Sequence, residues 1–255
     1  MQYPRGLTET VRTDWSDLSS ATGAPERFDP GATAALPEPV RRWLAHAIAP
    51  GTLLLTSVEL AMHGSIRLGD WRDFTGTLRL SLAGGFVWAA TANRFGLPVI
   101  GFDRYTRHAG QMSWKILGRV SVNSVVGPDA TRSAAGQHAG ELLVGAPAAA
   151  LSRRVTWEAV DTDRATARVR VDAGHHEVTL TVAADGALAS LRMSRWGAGP
   201  DGSFGVRTYG ADFADESTFE GFTIPRSVVA GWEHGTPGWE LGQFIRYTVD
   251  GAHYR

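Results

Sequence analysis

Residues 84–142 read GGFVWAATANRFGLPVIGFDRYTRHAGQMSWKILGRVSVNSVVGPDATRSAAGQHAGEL. Phe86, Val87, Trp88, Val99, Ile100, Phe102, Tyr105, Met112, Trp114 and Ile116 fall in strand-length runs broken by glycine. The last part changes to a helical pattern over 130–145, with Asp129 or Thr131 as its cap. Antiparallel β structure around a large apolar interior is predicted, with no catalytic signature in it.

Upstream, period-two alternation gives candidate strands over 52–60, 63–69 and 76–83, which join 86–92, 98–107, 111–117 and 120–126 in a meander. Before them, LPEPVRRWLAHAIAPG (36–51) puts Leu36, Val40, Trp43, Leu44, Ala47 and Ile48 on one helical stripe, stopped by Pro50-Gly51. Residues 1–35 are polar, with Trp15 and Leu18 as isolated apolar points, and are expected to be a loosely held arm. Downstream, RVTWEAVD, ARVRVD, HEVTLTVA, LASLRMSRW, GVRTYGADF, FTIPRSVVAGWEH and WELGQFIRYTV alternate as a second set of strands. A parallel α/β sheet needs a helix between most strands, and this order does not supply them. The fold expected is mostly β: one large curved antiparallel sheet or barrel with two or three helices and an apolar central cavity. It is a single ligand-cavity domain over 36–255.

Composition limits the function. A formal net charge of -1 gives no basic field to attract a phosphate backbone, so nucleic acid is not an expected partner. The chain lacks cysteine, which removes disulfides, thiolate nucleophiles and Cys-based metal sites. Lys115 is the one lysine, and its Arg-rich, Ala- and Gly-rich background matches the codon bias of a GC-rich actinobacterial genome. No signal-like apolar core and no window near the ~18 apolar residues of a membrane span occur. A soluble, cytoplasmic protein without stable membrane insertion is expected.

The familiar catalytic motifs are missing: no G-x-S-x-G, no P-loop, no H-E-x-x-H. Gly197-Ala198-Gly199-Pro200-Asp201-Gly202 fits G-x-G-x-x-G but lies between two strands and opens no helix, so it reads as a hairpin loop. Adjacent His175 and His176 point to opposite faces of a strand and cannot chelate one metal together. No cofactor and no metal is expected. Lys115 reads as a solvated lysine before a Schiff-base one.

Asp103 and Tyr105 share a strand face with Val99; if that face is interior, desolvation raises the Asp103 pKa and makes it a proton donor or acceptor. The plainer alternative pairs Asp103 with Arg94, Arg104 or Arg107. His138 and Glu141, three apart on the helix, share a face, read either as a solvated surface or salt link or as a proton donor beside a carboxylate. Asp103, Tyr105 and Glu141 are therefore the catalytic candidates. Phe86, Trp88, Trp114, Trp157, Trp232, Trp239, Gln243 and Tyr247 are the candidate walls for a large apolar small molecule, although core packing explains many aromatics as well.

The runs LPEPVRRWLAHAIAPG, Met62-His63-Gly64, Trp71-Arg72-Asp73-Phe74, GGFVWAA, GLPVIGFDRY, GPDATRSAAG, GELLVGAPAAAL, VTWEAVD and FTIPRSV resemble, over roughly 36–249, a bacterial family of unknown function. Many of its members carry apolar N-terminal segments where this chain has a polar one. The sheet is also similar to the half-barrel of lipoprotein-carrier proteins and, in architecture and setting, to small β-barrel polyketide cyclases of antibiotic biosynthesis. These resemblances imply either a cofactor-independent cyclase or isomerase that folds a polyketide-type metabolite, or a non-enzymatic carrier of a lipid or hydrophobic metabolite. Fold alone does not choose between them.

Overall fold

The computed structural model describes residues 3–19, 25–94, 96–199 and 201–255, without the Arg94 side chain. The Arg94 partner proposed for Asp103, Phe95 of its turn and Pro200 of the glycine loop lie outside the described residues.

Two helices come first, α1 (Glu9–Asp17) and α2 (Glu38–Ala47), followed by six strands: β1 (Ser57–Leu68), β2 (Asp70–Ser81), β3 (Gly85–Arg94), β4 (Leu97–Thr106), β5 (Ala109–Ile116) and β6 (Val120–Val126). Next is α3 (Pro128–Gly145), then β7 (Val155–Ala159), β8 (Arg164–Val171), β9 (Gly174–Val182), β10 (Leu188–Ala198), β11 (Phe204–Phe219) and β12 (Phe222–Trp232). A one-turn helix, α4 (Trp239–Gly242), leads into β13 (Gln243–Tyr254). The strands form one curved, open antiparallel sheet in the order β6-β5-β4-β3-β2-β1-β13-β12-β11-β10-β9-β8-β7. Two meanders thus meet where the first strand pairs with the last, with a bulge at Ala61/Met62.

The stretches expected as two strands at 52–60 and 63–69 are one strand, because the alternation continues through Met62-His63-Gly64. Gly64 faces Tyr247, and a Cβ there would run into the Arg246 carbonyl. In the second set, the run from Trp239 is strand only from Gln243; Trp239 and Leu241 sit on α4. α3 starts at Pro128, with no side-chain cap from Asp129 or Thr131.

Because α3 links the two edge strands, it crosses the concave face and packs on β5, β10, β4, β2, β8 and β9. Its glycines permit the close approach: a Cβ at Gly136 would lie 3.1 Å from Arg195 Cγ, and one at Gly140 3.5 Å from Met193 Sδ. Most of the core lies on this face, with Leu44, Leu80, Phe86, Leu142, Leu143, Leu180 and Phe222 fully buried.

The polar arm is structured in part. Thr8 caps α1, which packs Leu7, Val11, Trp15 and Leu18 against Val87, Ala89 and Phe102 on the convex face of β3 and β4. Trp15 and Leu18, isolated in the sequence, are the buried side of a short amphipathic helix. Buried Asp14 pairs with Arg104 at 2.6 Å and Arg107 at 3.1 Å, and buried Arg79 donates to the Trp15 carbonyl at 2.6 Å and to Glu59 at 2.9 Å.

Gly85, where β3 leaves its turn, has φ +101° and faces the Tyr105 carbonyl, into which a Cβ would run. Gly85→Ala combines a disfavoured backbone region with that collision, so a loss of about 2–3 kcal/mol is expected. A urea midpoint equal to the parent's would show that this turn relaxes freely.

Candidate functional site

Between the concave face and α3 lies a cavity of about 460 Å³. One stripe of α3 lines it at helical spacing, Ala130, Ser133, Ala134, Gln137, Glu141 and Val144, and the sheet supplies the rest. Trp88 from β3, Asp103 from β4, Trp114 from β5, Arg195 from β10, Tyr209 from β11, Trp232 from β12 and Tyr247 from β13 stand on the wall among Met62, Leu78, Val99, Leu191 and Phe213. The rings pack on one another: Trp88 lies 5.5 Å from Trp114 and Tyr209 lies 5.4 Å, edge-on, from Trp232.

Two carboxyls and the Arg195 guanidinium meet in this largely apolar space. Asp103 accepts from Trp114 Nε1 at 3.1 Å. Desolvation pushes its pKa up to about 6, against the opposing pull of that bond and of Arg195. Arg104 and Arg107 pair with Asp14 rather than with Asp103. Glu141 accepts from Gln137 Nε2 at 2.8 Å through Oε1, while its buried Oε2 has no partner. Desolvation pushes Glu141 up to about 7, and the Asp103 charge adds to the rise while Gln137 and Arg195 oppose it. Both carboxyls keep some surface toward the cavity but are enclosed by protein on the remaining sides. Arg195 is 7% exposed, and burial lowers its pKa. Its Nε donates to the Ser133 carbonyl at 3.1 Å and its Nη2 to Gln137 Oε1 at 2.8 Å, with the guanidinium 4.9 Å over Tyr209 and 5.5 Å over Trp232. A continuous polar chain, Arg195–Gln137–Glu141, thus runs along the apolar wall.

The other sequence candidates lie elsewhere. Tyr105 shares the face of Asp103 but donates its hydroxyl to Asp172 in a second, smaller cavity of about 230 Å³ with His138 and Arg154. Burial and the Asp172 charge raise its pKa. Phe86 is fully buried and stacks, like Tyr105, against the His138 ring. His138 is therefore no surface residue: it is 3% exposed, its Nδ1 has no partner, and desolvation lowers its pKa to about 3. His138 and Glu141 serve different cavities, since three residues on a helix advance about 300° and leave them on neighbouring stripes. Trp157 packs edge-on against Trp43 of α2 at 6.0 Å and donates to the Ala150 carbonyl. Trp239 binds Asp212 and covers His234, and Gln243 accepts from Arg246, all away from the cavity. The glycine loop joins β10 to β11. Among the described residues no group of three or more His, Asp or Glu side chains is arranged to hold a metal ion, and no helix is long and apolar enough to cross a membrane.

Arg195, Tyr209 and Gln137 escaped the sequence reading. The parity of Leu191, Met193 and Arg195, and of Tyr209, Ala211 and Phe213, carried the signal for two of them.

Comparison with curated proteins finds no match. Among solved structures, the chain is similar to a putative outer membrane lipoprotein-sorting protein domain from Vibrio parahaemolyticus, at 7% identity and a TM-score of 0.41, over 78% of this chain and 86% of that one. It is also similar to a LolA-superfamily protein from Nitrosomonas europaea, at 8% identity and a TM-score of 0.35, over 78% and 85%. At these TM-scores neither likeness enters the functional argument. By its sequence the chain belongs to the family of unknown function DUF6544, whose profile matches residues 26–244.

Proposed function

We propose that this protein binds a single amphiphilic small molecule, apolar body inward, in the cavity between the sheet and α3. The observation that carries this reading is a space of about 460 Å³ whose wall is largely aromatic and aliphatic and carries a small set of polar groups, among them the Arg195–Gln137–Glu141 chain and Asp103. Ligand pockets combine apolar area for affinity with a few placed polar groups for orientation. The fit to a carrier needs no cofactor and no nucleophile.

A direct test is mass spectrometry of organic extracts from purified protein, paired with calorimetry of a long-chain alcohol. Ala230→Phe projects a ring from β12 into the cavity. It is expected to reduce binding about tenfold or more while far-UV circular dichroism stays unchanged, since the ring takes space the ligand needs. Undiminished binding by a folded Ala230→Phe protein would place the ligand elsewhere.

The raised pKa values of Asp103 and Glu141 favour a second reading, a cofactor-independent isomerase or cyclase in which these carboxyls exchange protons with a polyketide-type substrate. The recovered molecule separates the two. A carrier returns its ligand unaltered; an isomerase returns a product of equal mass and different retention, and Asp103→Asn slows its formation.

A further inference from the structure

Two carboxylate oxygens on the cavity wall lack a hydrogen bond among the described residues. Glu141 Oε2 is buried, unpartnered and on the wall, and Asp103 uses one oxygen on Trp114, leaving the other without a hydrogen bond among the described residues. Arg195 is engaged by Ser133 and Gln137 and lies beneath the Tyr209 and Trp232 rings, while Arg67 and Arg104, also on the lining, bond to the Leu241 carbonyl and to Asp14. Glu141 Oε2 is thus a buried acceptor on the wall that none of the lining cations reaches.

From this we infer that the ligand is an amphiphilic amine: a long apolar chain or ring system bearing a protonated amino group that donates to Glu141 and Asp103. The inference rests on the binding reading above and names the class of molecule it concerns. An ammonium group supplies several donors and a charge opposite to that of the two carboxylates, and the aromatic faces of the wall can attract a cation as well. A fatty acid would bring a third carboxylate beside the unpartnered Glu141 oxygen. A neutral alcohol can fill the apolar space and donate once, without compensating charge.

The preference depends on pH. The groups lining the cavity are Asp103 on β4, Glu141 and Gln137 on α3, Arg195 on β10, Tyr209 on β11 and Tyr247 on β13, with Arg67 of β1, whose Nη1 donates to the Leu241 carbonyl, and Arg104 of β4, which pairs with Asp14. Desolvation keeps both tyrosines neutral well above their ordinary pKa, and Asp103 and Glu141 ionise near 6 and 7. An alkylammonium, like lysine, stays protonated to about pH 10. Amine affinity should therefore rise between pH 5.5 and 8, and the rise should come with proton release from the carboxyls.

The experiment is calorimetry of dodecylamine, dodecanol and dodecanoate, each below its aggregation threshold, with the full chain at pH 8. Dodecylamine is expected to bind about tenfold tighter than dodecanol, the margin of a charge-assisted over a neutral hydrogen bond, with dodecanoate weakest. Glu141→Gln should weaken dodecylamine far more than dodecanol and so remove that margin; Asp103→Asn should do the same in part. If dodecanol binds and dodecylamine binds no tighter, or if dodecanoate binds best, the amine assignment is overturned while the binding reading stands. If none of the three binds, both fall.

Discussion

Trp15→Ala is expected to lower the free energy of unfolding by about 3–5 kcal/mol, the usual cost of deleting a large buried ring. Trp15 is 1% exposed and fills the gap between α1 and the convex face of β3 and β4. Its loss removes more than apolar area. The Arg79 guanidinium, itself 3% exposed, lies 4.5 Å over the indole and donates to the Trp15 carbonyl, so the substitution also strips the ring from a desolvated cation. Trp15→Phe separates packing from polar terms. The indole Nε1 is buried without a partner, so phenylalanine keeps most of the ring and deletes an unsatisfied donor. It should cost under about 1.5 kcal/mol. Urea unfolding of the two variants measures both. An alanine variant with the parent's midpoint would mean that α1 is not part of the cooperative unit, and that the buried pairs of Asp14 and Arg79 contribute little.

That helix also shows where sequence reading stops. The strands were legible because antiparallel alternation is local: LASLRMSRW and FTIPRSVVAGWEH declare their buried faces residue by residue. α1 has only four apolar positions near it, Leu7, Val11, Trp15 and Leu18, at a spacing that polar composition hides, and its partner surface lies some seventy residues away at Val87 and Ala89. The candidate site divided along the same line. Parity grouped Asp103 with Tyr105 and Val99, and Trp88 with Phe86, but left open which face was inner; Asp103, Trp88 and Trp114 lie on the cavity wall. Parity could not tell Tyr105 from Asp103, because α3 partitions that face and the helix's path is set by tertiary packing. Trp157 and Trp239 were indistinguishable from wall residues for a related reason: a tryptophan closing the core against α2 and one capping a surface His–Asp pair have the same local sequence as one lining a cavity.

Glu141→Gln is expected to stabilise the protein in alkaline solution, with the effect vanishing in acid. The Glu141 pKa rises from 4.5 to about 7 on folding, so the native state binds this proton more tightly than the unfolded chain. The contribution of such a group to stability is fully present below pH 4.5 and is lost as pH rises through about 7. Above pH 7 the native state carries a desolvated carboxylate, a penalty of order 3 kcal/mol at 1.36 kcal/mol per pKa unit. Glutamine keeps an acceptor for Gln137 Nε2 and cannot ionise. The difference between variant and parent should therefore be near zero at pH 4, climb through pH 5–7 and level off by pH 8. Asp103, raised from 3.8 to about 6, gives the parent a second loss of the same sign, complete at lower pH. His138 works the other way: its pKa falls from 6.5 to about 3, so its contribution is present above pH 6.5 and is lost as pH falls toward 3. Opposing slopes flatten the parent's own profile between pH 4.5 and 6.5, which makes the variant-minus-parent difference the quantity to measure. Unfolding in guanidinium at pH 4, 6 and 8 is sufficient. A difference that stays constant with pH would mean that Glu141 titrates normally in the folded protein, and that its carboxylate is paired or solvated in a way the enclosed position beside Gln137 does not provide.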